Sequence, residues 1–448
     1  MKKEKVTTHS FQKILFVVLF IAVAAFFAKD FAVPYGNIRA LHVVTADRAL
    51  LLCDINTFFS GVFELSLVDR QKTVFWRTIL PEQPVGNGIM DGIAVNGSSV
   101  FVRLQSSIAA YSMETGEELW RVEKKILRDT PKYFTILVHE NQLFSCYTPR
   151  NGERDILFCL DTSTGELFWE QELAANSFPA EVHIVKDYLV YSYLFANKVF
   201  VRNRNTGELI KTIDGEDKKP ILESGLVFFI TNIEKAPILN IDNLNDDSRL
   251  KIPLLKLRTD SVAMAGAGTY NGSYLLFFQD TILCLQKNGS LSWKRDLEKK
   301  LLTDPIGIRF APGENHMLSG RLNQFTMLVL ENKNTDTAAV LVLLDCQKGE
   351  IIQTGLSIKK TLVSLFRSTS KTMYEEITDF KRERWLHIFF DDTMEQAQLK
   401  LGQTQAKILP NHVQENYLWL STRDHVFFPF LKFDVIDVTS LEKEKLRK

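Results

Sequence analysis

The stretch Cys159-Leu-Asp161-Thr-Ser-Thr164-Gly165-Glu-Leu-Phe-Trp169 decides the fold of this 448-residue chain, because its frame returns along the sequence. The turn position of the frame is occupied in successive copies by Lys72, Gly116, Gly165, Gly207, Gly289 and Gly349. The position four residues later holds Trp76, Trp120, Trp169 and Trp293. Recurrence in one frame indicates a repeat protein, whose units bury a core only against their neighbours.

The spacing of the copies predicts the type of repeat. Successive turn positions lie 44, 49, 42, 82 and 60 residues apart. The interval of 82 has room for two units, so we expect a missing turn near Asn245–Asp247. A period in the low forties, built from short apolar runs of strand length, is typical of a β-propeller blade. We therefore predict an all-β propeller.

The residues of the frame have a structural chemistry. An Asp or Asn four places before the Gly (Asp161, Asn203, Asp345) can accept hydrogen bonds from its own turn, and Gly supplies a positive φ. The Trp that follows in the next strand offers a large apolar surface for packing. We predict that this motif holds the blades and performs no catalysis.

These residues resemble the PQQ-like repeat propellers, whose units carry an Ala-x-Asp-x-x-Thr-Gly-x-x-x-Trp core. Cys159 to Trp169 reproduces this core with Cys in place of Ala, and Ala110 to Trp120 reproduces it with Ser112 in place of Asp. The resemblance covers about residues 100–353. The family includes quinoprotein dehydrogenases and BamB-type outer-membrane assembly propellers. The latter are similar in size and layout to this chain, although they are lipoproteins and this chain has no lipid-accepting Cys after its apolar run.

The resemblance implies one propeller domain over residues 39–448, and we predict eight blades, with seven or a ninth partial blade as alternatives. The predicted blades are residues 39–80, 81–125, 130–174, 178–215, 219–252, 258–298, 304–358 and one elaborated blade at 360–448. Phe433–Val438 is expected to supply the closing strand against the first blade. Lys371–Trp385 is interpreted as a short amphipathic insertion, and Tyr374–Trp385 within it as a partner contact or a cover for a blade edge.

Residues 1–38 predict the compartment. Lys2, Lys3, Lys5 and Lys13 precede the uncharged apolar run Ile14–Ala28, so the N-terminus is expected to stay cytoplasmic and the remainder to be exported. An uncleaved single-pass signal anchor, a cleaved signal peptide and a buried core helix are the three interpretations, in that order. They place the propeller at the periplasmic face of the inner membrane, or in the periplasm if the signal is cleaved.

Composition and motifs argue against several functions. With 54 basic and 54 acidic residues the net charge is zero, which disfavours nucleic-acid binding. The eight histidines form no metal-binding spacing, and the five cysteines suit neither a disulfide framework nor a zinc site. We therefore expect buried cysteines, no metal, no cofactor and no enzymatic activity; quinone catalysis would by resemblance need an adjacent Cys pair.

The favoured hypothesis is a non-catalytic exported scaffold for protein–protein interactions in the bacterial cell envelope, including outer-membrane protein assembly. Its partners would be envelope proteins, and its membrane contact the N-terminal segment. The alternative is an exported ligand- or cofactor-binding propeller that uses its central funnel.

Overall fold

The computed structural model describes residues 37–445 except 55–61, 86–91, 124–135, 148–153, 176–178, 194–196, 216–219, 224, 232–236, 255–263, 299–319, 322–323, 332–337, 360–362, 368–370, 378–383, 391–394, 403–412, 415–416, 424–430, 438–439 and 442. Every numbered element is a β-strand. The predicted signal segment lies outside these residues. Among the residues that are described, no helix has the length and apolar character needed to cross a membrane.

Six consecutive four-stranded antiparallel meanders, blades 1 to 6, make up residues 37–296. Blades 1 to 3 contain β1 (Asn37–Thr45), β2 (Arg48–Asp54), β3 (Phe63–Asp69), β4 (Val74–Leu80), β5 (Ile93–Asn96), β6 (Ser99–Arg103), β7 (Ser107–Ser112), β8 (Glu118–Glu123), β9 (Leu137–His139), β10 (Gln142–Tyr147), β11 (Arg154–Asp161) and β12 (Leu167–Ala175). Blades 4 to 6 contain β13 (Pro179–Val185), β14 (Tyr188–Tyr193), β15 (Lys198–Asn203), β16 (Leu209–Asp214), β17 (Ile221–Glu223), β18 (Leu226–Thr231), β19 (Ile238–Asn243), β20 (Ser248–Pro253), β21 (Met264–Tyr270), β22 (Ser273–Phe278), β23 (Thr281–Leu285) and β24 (Leu291–Asp296).

Three further sheets follow. Their strands are β26 (Phe325–Glu331), β27 (Ala338–Asp345), β28 (Glu350–Lys359), β29 (Val363–Arg367), β30 (Lys371–Ile377), β31 (Arg384–Phe390), β32 (Glu395–Gly402), β33 (Val413–Gln414), β34 (Tyr417–Arg423), β35 (Leu431–Asp437) and β36 (Lys443–Lys445). The short strand β25 (Gly320–Arg321) precedes them and belongs to the sheet of blade 6, where it pairs in parallel with β21. Strands β26–β28 form one sheet, β29–β32 with β36 a second, and β33–β35 a third.

The prediction of an all-β propeller is confirmed. Seven sheets contain a four-stranded antiparallel unit, which agrees with the seven-bladed alternative more closely than with eight blades. The sheets β26–β28 and β33–β35 have three described strands each. The region 360–448, predicted as one elaborated blade, contains two separate sheets.

The core lies in layers between neighbouring blades. The middle strands are apolar and buried on both faces, as in Leu50–Cys53 and Ile282–Leu285, because each sheet is covered by the sheets before and after it. The first strands of adjacent blades approach each other, β5 beside β9 and β17 beside β21, so the first strands lie at the centre. The fourth strands, at the opposite edge of each sheet, form what we call the outer rim.

The last and first sheets meet by packing. Trp419 of β34 and Val435 of β35 lie in one cluster with Leu41 and Leu51 of blade 1. Strand β35 contains most of the predicted closing segment Phe433–Val438, but its hydrogen-bonded neighbour is β34. The closing segment therefore contacts the first blade without joining its sheet.

The prediction of an amphipathic insertion at Lys371–Trp385 is wrong. Its ends lie in strands β30 and β31, which pair from Lys371–Phe390 to Ile377–Arg384. Its Glu, Lys and Met residues favour a helix, but helix propensity is a weak preference. Pairing of β30 with strands on both sides overrides it. The expected turn near Asn245–Asp247 is confirmed, because it joins β19 to β20 and Asp247 has a φ of 57°.

Candidate functional site: the blade junctions and the outer rim

The repeat turn is held by its own side chains. The Asp161 carboxylate accepts hydrogen bonds from the backbone N–H groups of Ser163 (2.7 Å) and Thr164 (3.0 Å), and these bonds, with the Ser163 hydroxyl foremost, lower the pKa of Asp161. Asn203 in blade 4 and Asp345 in the sheet β26–β28 accept the equivalent bonds. The acid and the amide therefore perform the same structural task.

Glycine closes this turn. The N–H of Gly165 donates to the carbonyl of Asp161 at 2.9 Å, and its φ of 75° is one that only Gly adopts without strain. The same bond forms at Gly116, Gly207 and Gly349, each to the residue four places earlier. The geometry explains why Gly recurs in the frame.

Each of these glycines also receives a tryptophan from the preceding blade. A Cβ atom on Gly116 would lie 2.5 Å from Cε3 of Trp76, which is closer than any allowed contact. The same Cβ-to-Cε3 distance would be 2.8 Å for Gly165 and Trp120, 2.6 Å for Gly207 and Trp169, and 2.7 Å for Gly349 and Trp293. We call this arrangement a Trp–Gly junction.

A hydrogen bond accompanies three of the four junctions. The indole Nε1 of Trp76 donates to the Met113 carbonyl at 2.8 Å. In the same way Trp120 donates to the Thr162 carbonyl at 2.9 Å, and Trp169 donates to the Arg204 carbonyl at 2.8 Å. The Nε1 atom of Trp293 is buried and has no hydrogen-bond partner among the described residues. The Trp of one repeat thus packs on the turn of the next repeat and, at three junctions, donates a hydrogen bond to it.

The remaining junctions around blade 5 use other residues. Lys211 holds the Trp position in blade 4, and the turn residue that follows it in blade 5 is Asp247. At Gly289 the neighbours are Ile252 and Leu250, at 3.1 Å and 3.2 Å from a built Cβ. The sequence-predicted motif residues therefore fall in one inter-blade layer, with Ile252 and Leu250 in place of a Trp at one junction.

The outer rim exposes apolar side chains in a repeated position. Phe75, Leu119, Phe168 and Ile210 lie three residues after the turn position in blades 1 to 4, and all are exposed. Further exposed apolar residues of the fourth strands are Ile79, Leu167, Leu209 and Leu291. Sequence reasoning missed this surface, although aligning the repeats on their turns would have revealed it.

The chemistry available for catalysis is sparse in the described part of the chain. No group of three His, Cys, Asp or Glu residues there could hold a metal ion. All five cysteines are buried and free, as predicted. Burial raises the pKa of the thiols of Cys53, Cys146 and Cys284, and raises that of Cys159 to about 12, so these four are protonated at neutral pH.

A shallow cavity of about 300 Å³ lies between blades 5 and 6. Its polar lining includes the side chains of Asn243, Asn245, Thr269, Asn271 and Lys287, with Tyr274 at one wall. Amide, hydroxyl and ammonium groups can bind a polar ligand, and the Tyr ring can pack against an apolar face.

The repeat geometry is that of a β-propeller, and one family comparison supports the resemblance to PQQ-like repeats over part of the chain. Residues 63–210 match the family model described as outer membrane protein assembly factor BamB, which confirms the resemblance to PQQ-like repeat propellers. These residues begin in β3 of blade 1 and end in β16 of blade 4. No curated protein sequence matches the chain.

Several solved structures are similar to this chain at low identity. A crystal structure titled the eukaryotic initiation factor is 12% identical, with a TM-score of 0.50, over 87% of this chain and 96% of that chain. BamB from Moraxella catarrhalis is 13% identical, with a TM-score of 0.35, over 70% of this chain and 83% of its own. A europium-containing methanol dehydrogenase is 11% identical, with a TM-score of 0.43, over 86% of this chain and 84% of its own.

Proposed function

We propose that this protein is a non-catalytic scaffold that binds other proteins through its outer rim. The observation that carries the proposal is the exposure of Phe75, Leu119, Phe168 and Ile210 on successive fourth strands. Scattered exposed apolar residues are normal, but their recurrence at one repeat position produces a row of equivalent contact points.

Strand edges strengthen this proposal. In blades 1 to 4 the fourth strand pairs with the third and with no other described strand. An open edge presents backbone N–H and C=O groups to which an extended segment of a partner can add. Apolar side chains beside such an edge add packing to the backbone hydrogen bonds.

The compartment and the partners follow from two further observations. The basic and apolar N-terminal segment supports export, with the propeller held at the periplasmic face of the inner membrane or released into the periplasm. The family model matched by residues 63–210 is named for outer membrane protein assembly. We therefore propose envelope proteins as partners, with outer-membrane protein assembly as the specific process.

Crosslinking of the full-length chain in intact cells tests the scaffold. A photo-crosslinking amino acid would replace Leu119, Phe168 or Ile210 on the rim, and Glu140 on the β9–β10 turn as the exposed control. We expect discrete adducts with envelope proteins, identified by mass spectrometry, from rim positions and few from position 140. Equal, unspecific adducts at all positions, or none, would overturn the scaffold proposal.

The cavity between blades 5 and 6 favours a second candidate, an exported ligand-binding propeller. The set of side chains there suits a small polar molecule better than a metal, because the lining carries amides and one ammonium group and no cluster of carboxylates. Native mass spectrometry, elemental analysis and an absorption spectrum of purified protein would test it. A stoichiometric bound molecule would support this candidate, and a clean apo mass with no metal and no visible absorption would contradict it.

A further inference from the structure

The outer rim is not uniform, and the difference lies seven residues after the turn position. That position holds an exposed acid in four blades, namely Glu123, Glu172, Asp214 and Asp296. In blade 1 it holds Ile79, which at 65% exposure is the most exposed large apolar residue described. Charged residues on edge strands disfavour pairing with another chain, and blade 1 has no charge at this position.

Several of the acids are fixed in place by neighbouring cations. Asp214 pairs with Lys198 at 2.9 Å, Asp296 with Lys294 at 3.0 Å, and Glu172 with Arg154 at 3.4 Å. These exposed pairs contribute little to stability. They do place a charged pair at the edge of each strand, where an incoming apolar strand would have to desolvate it.

Strand β4 of blade 1 instead presents an alternating surface. Phe75, Arg77 and Ile79 are exposed on one face, while Trp76 and Leu80 are buried on the other. The Arg48 guanidinium lies 4.4 Å from the centroid of the Phe75 ring, and Arg77 stands beside the buried Glu64 at 3.8 Å. This face therefore presents two guanidinium groups, those of Arg48 and Arg77, beside its exposed apolar residues.

We infer that β4 is the docking edge of the scaffold, and that it receives an extended segment with an apolar–x–acidic–x–apolar pattern. This inference rests on the proposed scaffold function. Apolar side chains of the segment would pack on Phe75 and Ile79, and its carboxylate would face Arg77 and Arg48. Cross-strand pairs of these kinds stabilise neighbouring strands.

A labelled peptide tests the chemistry directly on the full-length protein. The probe is a seven-residue peptide with Val, Glu and Val at alternate positions separated by Thr, and its binding is followed by fluorescence anisotropy. We expect saturable binding that Ile79→Glu weakens at least tenfold and that Glu140→Gln, on the β9–β10 turn away from the rim, leaves unchanged. Replacing the Glu of the peptide by Lys should weaken binding at least fivefold.

A transplanted edge gives an independent result. Glu170→Arg with Glu172→Ile would give β12 the Phe–x–Arg–x–Ile pattern of β4, and the double variant should bind a second peptide molecule. Wild-type protein that fails to bind the peptide, or Ile79→Glu that binds it equally well, would overturn the inference.

Crosslinking from position 79 in cells separates this inference from the scaffold proposal. Partner adducts at 79 that exceed those at 123 and 172 support β4 as the docking edge. Adducts at other rim positions but not at 79 would overturn the edge assignment and leave the scaffold standing. Absence of specific adducts at every rim position would overturn both proposals. An adduct between two copies of this chain would show self-association and would overturn the assignment of a separate partner.

Discussion

The four Trp–Gly junctions differ from the junction behind Lys211 in the residue that occupies the turn. Behind Trp76, Trp120, Trp169 and Trp293 the next turn residue is always Gly, because the indole occupies the space of a Cβ atom. Behind Lys211 the next turn residue is Asp247, which keeps the same left-handed backbone with a φ of 57°. Asp247 shows that this left-handed backbone can carry a side chain where no indole covers the turn, and the packed indole adds a steric reason for Gly at the four Trp–Gly junctions.

The largest effect should come from removing an indole. Trp169→Ala is expected to lower the free energy of unfolding by about 3–5 kcal/mol, since a buried aromatic side chain is replaced by a cavity. Lys211→Ala, at the same repeat position in blade 4, should change it by less than about 0.5 kcal/mol. Urea unfolding followed by circular dichroism measures both, and equal effects would contradict the distinction between the two kinds of junction.

The next effect concerns the glycine side of the same junction. Gly207→Ala should cost about 2–4 kcal/mol, because left-handed backbone strain and a contact with Trp169 act together. Asp247→Gly should stay within about 1 kcal/mol of the parent, since no indole covers that turn. In the double variant Trp169→Ala with Gly207→Ala, the loss of unfolding free energy should be smaller than the sum of the two single losses, with a coupling of about 1–3 kcal/mol. Strict additivity would show that the ring and the turn do not compete for one space.

A smaller effect separates two tryptophans that are both half-buried. Trp120 donates a hydrogen bond to the Thr162 carbonyl at 2.9 Å, whereas Trp293 makes none within the described structure. Trp120→Phe should therefore cost about 1 kcal/mol more than Trp293→Phe, which is the net value of one such bond. Thermal and urea unfolding of the two variants compare the costs, and the reverse order would refute the role given to the bond.

The smallest effect distinguishes the acidic turn from the amide turn. Because hydrogen bonds to its carboxylate lower the pKa of Asp161 in the folded protein, its stabilisation is present above the ordinary Asp pKa of about 4 and is lost as the pH falls through the folded value. Asp161→Asn should keep the turn bonds, as Asn203 does, and change stability at neutral pH by less than about 1 kcal/mol.

The pH dependence provides the readout for that pair. The urea midpoint of Asp161→Asn should fall less than that of the parent between neutral pH and about pH 3. Asn203→Asp is the matched variant, and it should make the protein more acid-sensitive. Identical dependence of the urea midpoint on pH for all three proteins would show that the Asp161 carboxylate does not contribute to the acid sensitivity of the fold.

Much of the fold could be predicted because the repeat is local in sequence. The turn bonds of Asp161 span three residues, so the frame identified the blades and even the missing turn at Asp247. Long-range pairing could not be predicted in the same way. The segment Lys371–Ile377 has helix-favouring residues, yet pairing with β29 and β31 makes it a strand, and the packing of Trp419 on blade 1 depends on chain ends far apart in sequence.

The proposed docking surface could not be predicted for a different reason. Ile79 is an ordinary residue in an apolar strand, and only its exposure and the acids at the equivalent positions make it unusual. The twofold alternation of a strand predicts which residues share a face but not which face stays open to solvent.

Every Trp–Gly junction runs in the same direction along the chain, since the indole comes from the earlier blade and the turn Gly that it covers comes from the later one. During synthesis each finished blade that contains the motif Trp, namely blades 1, 2, 3 and 6, therefore carries an uncovered indole until the next turn leaves the ribosome. A nascent chain released after Val122 exposes Trp120, and one released after Leu173 exposes Trp169. Unfinished chains that end after blade 1, 2, 3 or 6 are thus marked at their growing end by a single apolar ring.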